Sequence, residues 1–190
     1  MLKLTPFATH WALPLTAALI WTGTSTAQST GPALAAAAAA VVGAPAFSMA
    51  NPKLTVLGSG SANPNAGTRQ MAFDLVALRA LPQHSFVTRT PWDTQPIQFS
   101  GPLLRDVLKT TGVEGRLIQA TALNDYTSTI PVADAHQFDV LLAIHMNGKP
   151  IPVRSKGPFF IIYPFDSDPH LQSTTYYERS IWQLKTLNIQ

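Results

Sequence analysis

From Lys53 onward the chain alternates short apolar runs with polar, turn-forming breaks, and the runs have the length of strands. KLTVLGS (53–59), HSFVTRT (84–90), IQF (97–99), RLIQATAL (116–123), TSTIPV (127–132), VLLAIHM (140–146), FFIIY (159–163) and SIWQLKTLNI (180–189) each read as extended segments. Helical spacing is rarer. In LVALRAL (75–81), Leu75, Leu78 and Leu81 share one face and Arg79 lies outward, with Asp74 placed to cap the start and Pro82 to end it. In SGPLLRDVLKTTG (100–112), Ser100 reads as the N-cap, Pro102 as first-turn residue, Leu103, Leu104, Val107 and Leu108 as the inner face, and Gly112 as the stop. Asp134 to Phe138 is a turn or a short helical piece. Strands dominate, helices are short and irregularly placed, and no internal repeat occurs. The pattern predicts a mixed, strand-rich α+β domain over 53–190 rather than a doubly wound sheet.

One stretch concentrates the unusual chemistry: NGKPIPVRSKGPFFIIYP (147–164). Asn147-Gly148 tolerates positive φ at both central turn positions and predicts a hairpin on VLLAIHM. Pro150 and Pro152 fix φ and remove two backbone donors, which keeps the following arm extended and out of a central ladder. Gly157-Pro158 then turns the chain into FFIIY, a run short and apolar enough to be buried on both faces. Arg154 and Lys156 are therefore expected on a stiff loop between two core strands, a place to bind something anionic or rich in acceptors.

Composition narrows the classes of function. Of 190 residues, 46% are hydrophobic and 12% charged, which supports a sizeable core and argues against a disordered chain. The net charge of +3 is carried without any run of Lys or Arg, so the clustered cations that phosphate neutralisation needs are missing. There is no cysteine, which removes disulfides, thiolate metal sites and a cysteine nucleophile together. From Leu4 to Pro52 no side chain is charged. Lys3, the apolar WALPLTAALIW and the small residues Ser25-Thr26-Ala27 have the layout of an export signal, and ALAAAAAAVV ends in further small-x-small sites. We expect residues 1–50 to be leader, cleaved between Ala27 and Ala50, and the product to be periplasmic or secreted. A membrane anchor is the competing reading, although Gly43 and Pro45 interrupt the Ala-rich run. No twin-arginine pair precedes the apolar segment.

Common catalytic patterns fail one after another. Gly58-Ser59-Gly60 lacks the third glycine and the helix of a dinucleotide turn. No G-x-S-x-G is present. Asp166-x-Asp168-x-His170 lacks the glycine and distal acid of a calcium loop and reads as a solvated turn.

The segment 147–164, followed by RSIWQL (179–184), resembles the oxidoreductase molybdopterin-binding domain, the sulfite oxidase fold, over roughly residues 53–190. The likeness is to small exported proteins made of that domain alone. It implies that the loops around Trp92 in TPWD, Asn124-Asp125-Tyr126, and Arg154 with Lys156 surround a pterin. The chemistry of these side chains suits such a ligand. A carboxylate, Asp125 or Asp134, can take parallel hydrogen bonds from the guanidine-like edge of a pterin. Arg154 or a backbone N–H can donate to its carbonyl, and Trp92 or Tyr126 offers a stacking face. Each side chain also has an ordinary structural use, as core plug, turn residue or surface cation.

In the family, the resemblance implies a cysteine thiolate on molybdenum near Thr90-Pro91, where this chain has none. A hydroxyl cannot reproduce that soft-ligand bond. The expectation is an exported pterin-binding protein without molybdenum. The likeness further implies a regulator that contacts the periplasmic region of a membrane cyclic-di-GMP enzyme. The competing expectation is a molybdopterin-dependent oxidoreductase with a non-cysteine ligand, and a third is a purely structural domain.

Overall fold

The structure is a computed structural model, and it describes residues 51–59 and 67–190. The expected leader and the tip of the SGSANPNAGT loop lie outside the described residues. The elements run β1 (Leu54–Gly58), β2 (Arg69–Phe73), α1 (Leu75–Ala80), β3 (Gln83–Thr88), β4 (Ile97–Pro102), α2 (Leu104–Thr111), β5 (Leu117–Ala122), β6 (Thr127–Pro131), α3 (Val132–Gln137), β7 (Leu141–Ala143), β8 (His145–Met146), β9 (Lys149–Pro150), β10 (Phe160–Ile162), a 3-10 turn (Pro169–Leu171), α4 (Thr174–Arg179) and β11 (Leu184–Ile189). This is the strand-rich α+β architecture that the hydrophobic pattern predicts.

Two larger sheets are joined by a short pair. One sheet has the order β2-β1-β11-β5-β6, with β1 and β11 parallel and its other neighbours antiparallel. The other has the order β3-β4-β8-β9. Between them lies the antiparallel pair β10-β7, completely buried. Leu141 bridges to Leu103 on one side, and on the other the Leu184 N–H donates to the Phe159 carbonyl at 3.0 Å. FFIIY is thus the buried seam of the domain: Phe159 to Tyr163 are all fully inaccessible. One core cluster takes in Leu54, Val56, Ile118, Leu184 and Leu187 from the first sheet and Phe99 from the second.

Local expectations hold where a side chain has a backbone reason to act. Asp74 caps α1, its Oδ1 accepting from the Ala77 N–H at 2.8 Å, and Leu78 is the residue of that helix that is buried completely. Gly112 ends α2 in the left-handed conformation (φ 59°), and Asn147 (φ 48°) and Gly148 (φ 73°) form the hairpin turn between β8 and β9.

Two expectations need correction. Ser100 is not the cap of α2. It lies in β4 with Pro102, its carbonyl accepting from the Ile144 N–H at 2.9 Å, and α2 begins at Leu104 with no side-chain cap. The Leu104 N–H is satisfied by the Val140 carbonyl at 2.8 Å, so strand pairing replaces a capping hydroxyl. VLLAIHM is not one strand either. It divides at Ile144 into β7, paired with β10, and β8, paired with β4. From Ser100↔His145 to Leu103↔Leu141, three steps on β4 face four on β7–β8, which is the count of a bulge. A Cβ on Gly101 would collide with the Leu142 carbonyl oxygen at this point. Strand β2 and helix α4 were not anticipated from the hydrophobic pattern.

Candidate functional site

The site is built on three segments: the turn after β3, the β5–β6 turn, and α4 with the residues leading into β11. In the first, the Thr90 hydroxyl donates to Asp93 Oδ2 at 2.8 Å and accepts from the Trp92 N–H at 3.3 Å. Lys156 Nζ donates to the same Asp93 oxygen at 2.6 Å. Burial of Asp93 opposes its charge, but hydrogen bonds from Lys156 and Thr90 and the Lys156 charge outweigh it and hold the carboxyl below the usual carboxylate range. Thr90, Asp93 and Lys156 therefore staple the turn to the basic arm and present Trp92 between them. The Trp92 ring stands nearly perpendicular to Trp182 (centroids 5.3 Å apart, 89°) and meets Tyr177 at 6.1 Å and 73°, with Phe165 and Phe160 behind it. The contacts with Trp182, Tyr177 and Phe165 are edge-to-face, the arrangement that aromatic quadrupoles favour.

The second segment turns because Asp125 adopts φ 63° and Asn124 Oδ1 accepts from the Tyr126 N–H at 3.2 Å. The turn lifts Tyr126 outward to half exposure. The third segment, α4, buries no residue completely and is held by what it touches. Arg179 donates to Asp134 Oδ2 at 2.9 Å and lies 5.3 Å from the Tyr176 ring centroid. Tyr163 donates to the same Asp134 oxygen at 2.8 Å. Burial, and then the bonded Asp134 carboxylate, push the Tyr163 hydroxyl far above the ordinary tyrosine range.

Together these segments form a half-open cavity of about 340 Å³ lined by Trp92, Ala122, Asn124, Tyr126, Tyr177, Glu178, Ser180, Ile181 and Trp182. Four aromatic rings and few polar groups make it a chamber for a flat, partly polar molecule. Asn124 also lines an adjoining open concavity of about 600 Å³ with Leu123, Val153, Arg154 and Gln183. A larger concavity, about 920 Å³, lies beside α2. Its lining holds no Phe, Tyr or Trp, and Asp106 and Glu114 offset two of its three cations, Arg105, Lys109 and Arg116, so it offers a flat ring no aromatic stacking face. Size favours that concavity; chemistry favours the aromatic chamber, and we assign the site to the chamber.

The structure sorts the seven residues singled out in the sequence. Trp92, Asn124 and Tyr126 meet in the chamber, and Arg154 lies next door. Lys156 is committed to Asp93 and is a brace rather than a free cation. Asp134 is buried and committed to Tyr163 and Arg179. Asp125 does not line the chamber; its carboxylate is 81% exposed and 3.5 Å from Lys185. Tyr177, Glu178, Ser180 and Trp182 are additions. Their signal was the aromatic density of TTYYERSIW, read from the sequence only as an approach to the last strand. Among the described residues no group of three His, Cys, Asp or Glu side chains is placed to hold a metal ion. In the turn Asp166-x-Asp168-x-His170, Asp166 accepts from the Arg89 N–H and Asp168 from the His170 N–H.

A family model, the oxidoreductase molybdopterin binding domain, matches residues 65–165, just over half of the chain. The match includes Trp92, the 124–126 turn and the 154–156 arm and stops before α4. No curated protein matches the chain.

Proposed function

Because this chain belongs to the oxidoreductase molybdopterin-binding domain family, we propose that it holds a pterin-type heterocycle in the Trp92–Tyr126–Tyr177–Trp182 chamber and does so without molybdenum. The observation that carries the reading is the chamber itself: a cavity of about 340 Å³ walled by four aromatic rings, inside a molybdopterin-binding-type domain. A bicyclic ring can stack on one indole and present its edge to the other, since Trp92 and Trp182 form a right-angled corner.

The pterin half of the family's cofactor fits these residues; the metal half does not. Molybdenum in this family is anchored by a thiolate, and the chain has no cysteine. Near the corresponding position, the Thr90 hydroxyl is committed to Asp93, which is itself paired with Lys156. A neutral hydroxyl already donating its proton is a poor ligand for a soft metal site.

We extend the reading to an exported, ligand-dependent regulator of a membrane signalling protein. The uncharged N-terminal segment supports export, and the likeness to small exported domains of this type supports regulation. Pterin binding would act by favouring one docked state of the partner.

Calorimetric titration of the purified domain with a reduced pterin tests the binding. We expect saturable one-to-one binding, quenched tryptophan fluorescence, and an affinity lowered at least tenfold by Trp182→Ala or Tyr126→Ala. A wild-type domain that binds no pterin contradicts the reading.

A further inference from the structure

Within the chamber the polar inventory is lopsided. Glu178 is the one charged residue in its lining. The cation expected to face a ligand, Arg154, belongs to the adjoining concavity, and Lys156 is paired with Asp93. Among the described residues Glu178 takes part in none of the ion pairs, which join Arg89–Asp166, Arg105–Asp139, Lys156–Asp93, Arg179–Asp134 and Lys185–Asp125. Its side chain also accepts no hydrogen bond there, although the residues on either side of it are tied down. Tyr177 packs on Phe165 at 4.9 Å, and Arg179 is bonded to the buried Asp134 at 2.9 Å. A carboxylate with unused acceptor capacity thus sits on a wall anchored from both flanks, beside stacking rings.

We infer that Glu178 is the specificity-determining residue of the chamber, accepting hydrogen bonds from adjacent N–H donors on the edge of a flat heterocycle. It fills the role that the sequence suggested for Asp125 or Asp134. Both oxygens of an ionised carboxylate accept and neither donates, so the chamber favours a ring edge with two neighbouring N–H groups over one that presents a carbonyl. The 2-amino group and N3–H of a pterin form such an edge. Lumazine, with an oxo group in place of the amine, keeps the size and stacking face of the ring but turns one donor into an acceptor and sets it against the carboxylate. The inference rests on the pterin-type reading of the chamber and goes beyond it, by naming the group that chooses between two rings of equal shape.

The test titrates pterin and lumazine, in the same redox state, into the wild-type protein, Glu178→Ala and Glu178→Gln. Glu178 is exposed, so both variants are expected to keep the thermal midpoint of the wild type. Wild type should prefer pterin by roughly tenfold to a hundredfold, the worth of a charge-assisted bond gained against an acceptor clash. Glu178→Ala should lose most of that preference, by weakening pterin and by relieving the clash with lumazine. Glu178→Gln, whose amide can donate, should bind lumazine better than wild type does. Equal affinity of the wild type for the two rings, or a preference that survives in Glu178→Ala, would overturn the role of Glu178 while leaving the chamber intact as a pterin site. Binding of neither ring by the wild type would overturn both.

Discussion

Asp134, singled out in the sequence as an acceptor for a ligand, is committed to the fold instead. A carboxylate near a ligand loop suggests a ring-edge acceptor, but this one is 6% exposed and takes hydrogen bonds from Tyr163 and Arg179. Nothing in the sequence distinguishes Asp134 from Asp125 or Glu178 in this respect, because the difference lies in which acid is buried beneath α4. Removing the carboxylate leaves an uncompensated guanidinium, so Asp134→Ala should cost about 3 kcal/mol, read as a lowered urea midpoint. Trp92 and Tyr126 stand out in the sequence as large aromatics beside turn residues, and both line the chamber. Asp93 was passed over, since its importance comes from Lys156, distant in sequence. Its folded pKa lies below the unfolded value, so its contribution is complete above pH of about 4 and is lost as pH falls through the depressed folded value. Urea midpoints should therefore drop more steeply for wild type than for Asp93→Asn as pH falls below about 4. At neutral pH the variant should be less stable by about 1–2 kcal/mol, the worth of a partly buried charged hydrogen bond.

Among the elements, those set by local backbone chemistry could be read in advance: α1 from Asp74, the end of α2 from Gly112, the β8–β9 hairpin from Asn147-Gly148. Elements set by tertiary pairing could not. VLLA and IHM are continuous in hydrophobicity, and only the division of partners between β10 and β4 separates them. Ser100 has the right residue type for a cap, yet the β4–β8 ladder claims its backbone first. Gly101 marks the bend, where β4 passes close to the Leu142 carbonyl. Gly101→Ala should therefore destabilise the domain by about 1–3 kcal/mol, as overpacking does, measured by equilibrium unfolding. An Ala variant as stable as wild type would show that the backbones separate there at little cost. Helix α4 escaped notice because it is one and a half turns long and buries no residue completely, so it leaves no apolar stripe in the sequence.

At the scale of the whole molecule, a buried seam of two short strands ties two sheets together, and the aromatic chamber opens beside it. The family match covers the seam and two of the three segments that form the chamber, while the wall contributed by α4 lies beyond it. We propose that this domain, which has no thiol, keeps a pocket for the organic ring and lacks the anchor for the metal. A ligand bound only by the folded state raises stability in proportion to the logarithm of its concentration, about 2.7 kcal/mol at a hundredfold excess over Kd. A saturating reduced pterin should accordingly raise the thermal midpoint, and Trp182→Ala should blunt the rise. The most direct measurement is the ratio of pterin and of molybdenum to protein, by fluorescence of the oxidised extract and by elemental analysis, in protein purified from its own organism. The account predicts pterin approaching one per chain with molybdenum far below it. Molybdenum at one per chain, accompanied by turnover of an oxidisable or reducible substrate, would contradict it.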